Sequence, residues 1–132
     1  MDNNEKQVLQ DDPDPISRTP SGEDGFPHPS PLNNDHLQSV AFLAKSLSDG
    51  NRLRILLFVS GGRKSVSAIV EELDLSQPLV SHHLKELKRS LLVKVEREGP
   101  FIYYELADSR ILEVLRTLSE VAADLLSTRK TF

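Results

Sequence analysis

The protein is a chain of 132 residues with 16 lysines and arginines, 20 aspartates and glutamates, a formal net charge of −4 and no cysteine. This length suits one domain, and the lack of cysteine excludes disulfides, thiolate metal sites and thiol redox sensing. No apolar run approaches the roughly 20 residues that span a bilayer, and the acidic start differs from a signal peptide, so we expect a cytoplasmic protein with no membrane partner.

Residues 1–34 differ in composition from the rest of the chain. They hold six of the eight prolines, seven acidic residues against two basic ones, and only six hydrophobic residues. Such a segment buries too little apolar surface to offset its chain entropy, which predicts a disordered, acidic, proline-rich tail before a folded domain at residues 35–132. Two interpretations stay open: the tail competes electrostatically for a basic surface, or it is an inert solubilising extension.

The first half of the domain predicts three helices. The first is capped by Asp35 and ends at the turn of residues 48–50; its apolar positions are Leu37, Val40, Ala41, Ala44 and Leu47. The second, about residues 51–59, ends at Gly61-Gly62; we expect Leu53, Leu56 and Leu57 on one face and Arg52 on the other. Ser65 caps the third, residues 66–73, which buries Ile69, Val70 and Leu73.

The second half predicts a helix, a β-hairpin and a long final helix. Ser76 caps the fourth helix, about residues 77–90, and Pro78 is tolerated in its first turn. Alternating segments at 93–98 and 101–106 flank Gly99-Pro100 and form the hairpin, and the last helix spans about residues 109–127. Two short helices joined by a tight turn and followed by a ribbon predict a mainly α fold, the winged helix-turn-helix.

The fourth helix has a basic face opposite its apolar stripe. At about 100° per residue, the stripe contains Val80, Leu84, Leu87 and Leu91. The opposite face and the first turn present the candidate DNA-binding residues of this helix, which are Gln77, Pro78, Ser81, His82, Lys85, Lys88 and Arg89. Short hydrogen-bonding side chains near the N-terminus suit base edges, and the cations beyond them suit phosphates. The alternative is a solvated charged face.

Adjacent histidines in this helix have different expected roles. His82 points outward, whereas His83 lies beside the apolar stripe and is expected to be packed or bonded to a partner. Neighbouring side chains on a helix diverge by about 100°, which disfavours joint metal ligation. We predict no metal site and no cofactor.

The hairpin adds Lys94 and Arg97 as candidate phosphate contacts, diluted by Glu96 and Glu98. A purely structural hairpin is the alternative. The aromatic residues at 101–104 are expected to pack rather than to stack on bases, because alternating aromatics beside a small core usually do so.

The last helix carries more apolar surface than one small domain needs. A heptad-like repeat on this helix, together with the first helix, predicts a homodimer interface formed by Leu37, Val40, Ala44, Ile111, Leu115, Leu118, Ala122 and Leu125. Two-fold symmetry suits palindromic DNA. The alternative is an ordinary buried helix in a monomer.

Three segments carry a resemblance to a known family. Residues 75–87 (LSQPLVSHHLKEL), residues 49–56 (DGNRLRIL) and the hairpin residues 97–99 and 103–106 resemble the ArsR/SmtB family of bacterial transcriptional repressors. The match covers about residues 36–126. It implies a winged helix-turn-helix dimer built from the first and last helices, which binds an operator until an inducer releases it.

The sequence departs from that family at its sensing positions. Ser65-Val66-Ser67 stands where soft-metal sensors carry Cys-x-Cys, which excludes thiolate ligation. The positions matching the metal ligands of the last helix are Asp108, Arg110, Val121 and Asp124, and carboxylates without imidazole make a poor transition-metal site. Pro100 and Phe101 stand at the wing tip, where the family often has basic or polar residues.

These observations predict a homodimeric, sequence-specific regulator of transcription, most consistent with a repressor, that binds a palindromic operator on double-stranded DNA and is released by a small inducer of unidentified chemistry. The alternative is a winged-helix protein-interaction module that does not bind DNA. An enzyme is not expected, because the sequence has no phosphate-binding glycine loop and no nucleophile–base pair at motif spacing.

Overall fold

A computed structural model describes residues 32–129 of the chain. The predicted acidic tail falls almost entirely on residues 1–31, outside the described residues. The chain divides between Leu37 and Gln38 into two units. The helices are α1 (Asn34–Ser46), α2 (Gly50–Val59), α3 (Val66–Leu73), α4 (Gln77–Arg89) and α5 (Arg110–Leu126), and the strands are β1 (Lys64–Ser65), β2 (Val93–Glu98) and β3 (Phe101–Leu106). The predicted winged helix-turn-helix is confirmed.

Side-chain caps begin the central helices. Ser65 accepts a hydrogen bond from the Ala68 amide at 3.1 Å, and Ser76 accepts one from the Leu79 amide at 3.3 Å, so both predicted caps are confirmed. The prediction for α1 is wrong. Asn33, and not Asp35, accepts from the His36 amide at 2.8 Å, so the cap and the start of the helix lie two residues earlier than predicted.

Asp49 belongs to a cap as well, although the sequence analysis assigned it to a turn. Its Oδ1 accepts from the amides of Asn51 at 2.8 Å and Arg52 at 3.1 Å, which starts α2 at Gly50. This cap satisfies two of the amides that a helix N-terminus leaves without partners.

The sheet has three strands, in the order β1-β3-β2, where the sequence predicted a two-stranded hairpin. Strands β2 and β3 have the predicted bounds and pair antiparallel from Val93↔Leu106 to Glu98↔Phe101. The short β1, just before α3, pairs its Ser65 with Tyr103 of β3. The central strand β3 therefore connects the hairpin to the start of α3.

The core lies among α2, α3, α4 and the beginning of β2. Its fully packed hydrophobic residues are Ile55, Leu56, Val59, Ile69, Val80, Leu84, Leu87, Leu92 and Val93. The predicted face of α2 is partly wrong, because Ile55 and Val59 are buried and Leu57 is 52% exposed. This helix is apolar on most sides, so its periodicity does not select the buried face.

The end of α4 corrects a second core prediction. Leu91 is 76% exposed with φ +65°, and Leu92 occupies the core in its place. The Leu92 amide donates to Leu87 O at 2.9 Å and the Leu91 amide to Lys88 O at 3.0 Å, which is a Schellman ending with a left-handed residue after Ser90. The helical periodicity therefore stops before Leu91.

Candidate nucleic-acid interface

Helix α4 is held to the core by one face along its whole length. Val80, His83, Leu84 and Leu87 are buried, and Ser90 is buried at its C-terminal end. Burying one large aliphatic side chain contributes about 1.5–3 kcal/mol, so this face sets the rotation of the helix. The opposite face is consequently directed to solvent.

That opposite face is the one predicted to bind DNA. We call it the α4 basic face, and its members, all exposed, are Gln77, Pro78, Ser81, His82, Lys85, Lys88 and Arg89. The structure thus brings these seven residues together on one helix surface. Short polar side chains occupy its N-terminal half, and three cations occupy its C-terminal half, where they also complement the helix dipole.

The cations of the α4 basic face are not equivalent. Arg89 forms an ion pair with Glu86 on the same helix, and this guanidinium lowers the pKa of the Glu86 carboxyl. Across residues 32–129 no carboxylate lies within ion-pair distance of Lys85 or Lys88. These two lysines therefore carry the uncompensated positive charge that an anionic polymer would meet.

His83 connects α4 to the start of α2. It is 4% exposed, and its Nε2 lies 3.8 Å from Oδ1 of Asp49, the residue that caps α2. Burial lowers the pKa of His83, although the Asp49 carboxylate opposes this effect. The pKa of Asp49 is lowered chiefly by the hydrogen bond from the Arg52 amide. The expectation that His83 is packed or bonded to a partner is confirmed in its first part: the side chain is packed, and within the described residues its buried Nδ1 has no hydrogen-bond partner.

The wing, defined here as β2, β3 and their turn, separates its two predicted cations. Lys94 and Arg97 are exposed but lie on opposite faces of β2, because side chains alternate along a strand. Lys94 forms an ion pair with Glu105 of β3 at 3.4 Å. Arg97 alone remains available near the tip.

Arg63, which the sequence analysis did not single out, compensates the acidic residues of the wing. Its Nη1 lies 3.0 Å from Glu96 and its Nη2 2.6 Å from Glu98, and its guanidinium carbon lies 4.4 Å from the centre of the Tyr103 ring. The sequence near Arg63 offers no sign of this role beyond a cation directly before a strand, because the partners Glu96 and Glu98 are more than 30 residues away in sequence.

The wing tip is a two-residue turn at Gly99-Pro100. Gly99 has φ +61°, while the proline ring excludes positive φ at the next position; this combination indicates a type II′ turn. Phe101 follows and is 60% exposed, with its ring centre 6.4 Å from that of Tyr103. Phe101 thus ends a small aromatic surface instead of filling the core.

Helix α5 presents two different apolar faces. Ile111 and Leu115 pack against the core cluster of their own chain. A second stripe, the α5 seam, is about half exposed and consists of Val114, Leu118, Val121 and Leu125. The predicted repeat shares Leu118 and Leu125 with this seam but is rotated from it by about 50°.

Helix α1 is also exposed on its apolar side. None of its residues is buried, and Val40 and Phe42 are 57% and 53% exposed. The predicted interface positions Leu37 and Ala44 are exposed as well. Two helices with uncovered apolar surface are unusual for a small domain. Exposed apolar patches of this kind mark interaction sites.

An open apolar groove lies between α2 and α5. It has a volume of about 710 Å³ and is lined by Leu53, Leu57, Leu112, Leu115, Arg116, Leu118, Ser119, Glu120 and Ala122. Of the predicted interface positions, Leu115, Leu118 and Ala122 line this groove.

The carboxylates of the last helix do not form a metal centre in the part of the chain that the structure describes. Asp108 accepts from the Arg110 amide and guanidinium at 2.8 Å each, and Arg110 lowers the pKa of Asp108 to about 2. Within residues 32–129 no group of three or more histidine, aspartate or glutamate side chains converges on a metal-sized site. In the same range no helix has the length and apolarity to cross a membrane.

Comparisons with known proteins agree with this fold. The sequence profile of the arsR family of bacterial regulatory proteins matches residues 49–95. An HTH-type transcriptional regulator of Methanocaldococcus jannaschii is 35% identical over 85 residues, which are 64% of this chain and 96% of that protein. The transcriptional repressor SdpR of Bacillus subtilis is 40% identical over 62 residues, 47% of this chain and 69% of that protein.

A solved structure supports the same assignment. The homodimeric winged helix-turn-helix DNA-binding domain Mb0332 of Mycobacterium bovis superposes with a TM-score of 0.62 at 30% sequence identity, covering 73% of this chain and 89% of that one. The segment matched by the family profile, residues 49–95, contains the Asp49 cap, α3 and the whole of α4, the helix that carries the exposed basic face. This chain belongs to the arsR family of bacterial regulatory proteins.

Proposed function

We propose that this protein is a homodimeric, sequence-specific DNA-binding transcriptional repressor that is released from its operator by a small inducer. The α4 basic face carries the proposal, because it is exposed over the full helix while the opposite face is anchored in the core. Family membership and the functions of the relatives, among them the repressor SdpR, support it.

The chemistry of the face suits the major groove of a duplex. Gln77, Ser81 and His82 offer donors and acceptors near the helix N-terminus, the part of a recognition helix that contacts base edges. Lys85 and Lys88 lie one to two turns further along and would neutralise phosphates. The side chains that select sequence are thus separated from those that provide affinity.

The homodimer follows from the uncovered apolar residues of α1 and α5. The homodimeric state of the Mycobacterium bovis domain supports it. Two α4 helices related by a two-fold axis would occupy half-sites about 34 Å apart, so we propose an operator with inverted repeats.

The test replaces the two uncompensated lysines. The Lys85→Ala/Lys88→Ala variant is compared with wild type on a labelled random-sequence duplex of 30 base pairs between 50 and 200 mM NaCl. Each lost phosphate contact reduces the salt slope by about 0.9, so the double variant, which loses two contacts in each protomer and four in the dimer, should lose about 3.6 and bind more weakly at every salt concentration. The matched control removes two exposed cations from α5, Arg110→Ala/Arg116→Ala, and should behave as wild type.

Selection from a random pool of duplexes then tests specificity. Recovery of an inverted repeat supports the proposal. A pure protein that is monomeric and binds no duplex at low salt would instead favour a protein-interaction module, and unchanged binding by Lys85→Ala/Lys88→Ala would refute the role of this face.

A further inference from the structure

The wing has an unfavourable charge for an element that approaches DNA. Its strands contain two cations, Lys94 and Arg97, against the three glutamates 96, 98 and 105. Lys94 forms an ion pair with Glu105, so its charge does not offset Glu96 or Glu98. Glu96 and Glu98 lie on the same face of β2, two residues apart, and are 53% and 63% exposed, so both would repel a phosphate backbone within a Debye length of about 10 Å.

Arg63 cancels this charge with a single side chain. It bridges both glutamates through separate nitrogens, at 3.0 and 2.6 Å, and it packs on the face of Tyr103, which pairs with Glu96 across the sheet. A planar guanidinium can serve two carboxylates and a ring at once, which the point charge of a lysine cannot do.

The position of Arg63 also links the wing to the helix-turn-helix. It directly precedes β1, whose Ser65 pairs with Tyr103 and caps α3. The same side chain therefore neutralises the wing and ties its orientation to the element that carries α4. We refer to Arg63, Glu96, Glu98 and Tyr103 as the Arg63 clamp.

We propose that Arg63 is a positioning residue for DNA binding: it offsets the negative charge of Glu96 and Glu98 so that the tip of the wing, with Arg97 on one face and Phe101 on the other, can approach the phosphate backbone. This inference rests on the proposed DNA-binding function. Arg63 itself is directed to the wing carboxylates, so it acts through them and not through a contact of its own with DNA.

A mutant cycle on the full chain distinguishes an Arg63 that acts through Glu96 and Glu98 from an Arg63 that contacts DNA directly. Binding to the labelled random-sequence 30-base-pair duplex is measured at 50 mM NaCl for Arg63→Ala, for Glu96→Gln/Glu98→Gln and for the triple variant. We expect Arg63→Ala to weaken binding about three- to tenfold, the size associated with losing one or two neutralising charges near the backbone. The triple variant should match Glu96→Gln/Glu98→Gln within about twofold, because neutral glutamines no longer need Arg63.

Stability and salt serve as controls. The clamp is exposed, so its ion pairs add little stability and Arg63→Ala should keep the wild-type melting temperature within a few degrees. Its binding defect should shrink at 300 mM NaCl, where screening is stronger. Arg110→Ala breaks another exposed arginine–carboxylate pair, with Asp108, and should leave duplex binding unchanged.

Two results would overturn the proposal. One is a folded Arg63→Ala variant that binds as wild type does. The other is an equal loss from Arg63→Ala in both backgrounds, which would indicate that Arg63 contacts phosphate directly or only supports the fold. Wild-type protein that fails to bind any duplex would instead overturn the DNA-binding function, on which the clamp depends.

Discussion

The α5 seam permits a quantitative test of the proposed dimer. In the single chain, Leu118 lies in the middle of the seam and is 55% exposed, between Val114 and Val121. If a second copy covers this stripe, the exposed half of the leucine becomes buried on association. Shortening this side chain should therefore weaken the dimer more than it weakens the fold.

The magnitude follows from the exposed fraction. Leu118→Ala removes three carbon atoms at about 0.8 kcal/mol for each buried methylene, and about half of that contribution arises on association, or about 1.3 kcal/mol per protomer. The symmetric dimer loses this twice, about 2.6 kcal/mol, which corresponds to a roughly 50- to 100-fold increase in the dimer Kd. Sedimentation equilibrium over a range of protein concentrations measures it.

A matched control removes the same atoms elsewhere. Leu91 is 76% exposed and follows α4, so it is not part of the α5 seam, and Leu91→Ala should change the dimer Kd by less than about twofold. The reasoning fails if Leu118→Ala and Leu91→Ala dimerise equally well, or if the wild-type chain is a monomer at tens of micromolar protein.

Three further predictions concern stability and the tail. Leu91 holds a left-handed conformation with φ +65°, so Leu91→Gly should raise the free energy of unfolding by up to about 1 kcal/mol in urea titration, and a lower value would contradict the strain argument. Burial lowers the folded-state pKa of His83 below its ordinary 6.5, so stability should fall as pH decreases below 6.5. Asp49→Asn should extend this loss to lower pH, whereas His82→Gln, which removes a neighbouring positive charge that also lowers the pKa of His83, should end it at a higher pH. Deleting residues 1–31 should tighten duplex binding at 20 mM salt and not at 300 mM if the acidic tail competes with DNA, whereas equal affinity at 20 mM would indicate an inert extension.

Much of the fold was predictable because its signals are local. Ser65 and Ser76 cap helices through hydrogen bonds to amides three residues away, and such a pattern is visible in a few letters of sequence. The bounds of β2 and β3 were correct because alternation and the turn at Gly99 define a hairpin without reference to the rest of the chain. The α4 basic face was identified for the same reason, since helical periodicity places residues three or four positions apart on the same face.

The errors at Leu91 and in α2 concern interactions that helical periodicity does not encode. Leu91 was expected inside because the period continued, but the backbone had already left the helix in a Schellman ending. The buried face of α2 was misassigned because most of its positions are apolar, and only packing against α3 and α4 selects Ile55 and Val59. Lys94 and Arg97 were grouped although strand alternation separates them.

The order of the five helices and the hairpin, the caps at Ser65 and Ser76, and the basic face of α4 could be predicted from the sequence, because each depends on residues that lie close together in the chain. Folding was needed to show which apolar stripe of α5 is left uncovered, how His83 approaches Asp49, and that Arg63 pairs with two glutamates more than 30 residues away. Those features depend on the distance between side chains that the chain brings together only after folding, and no local pattern records that distance.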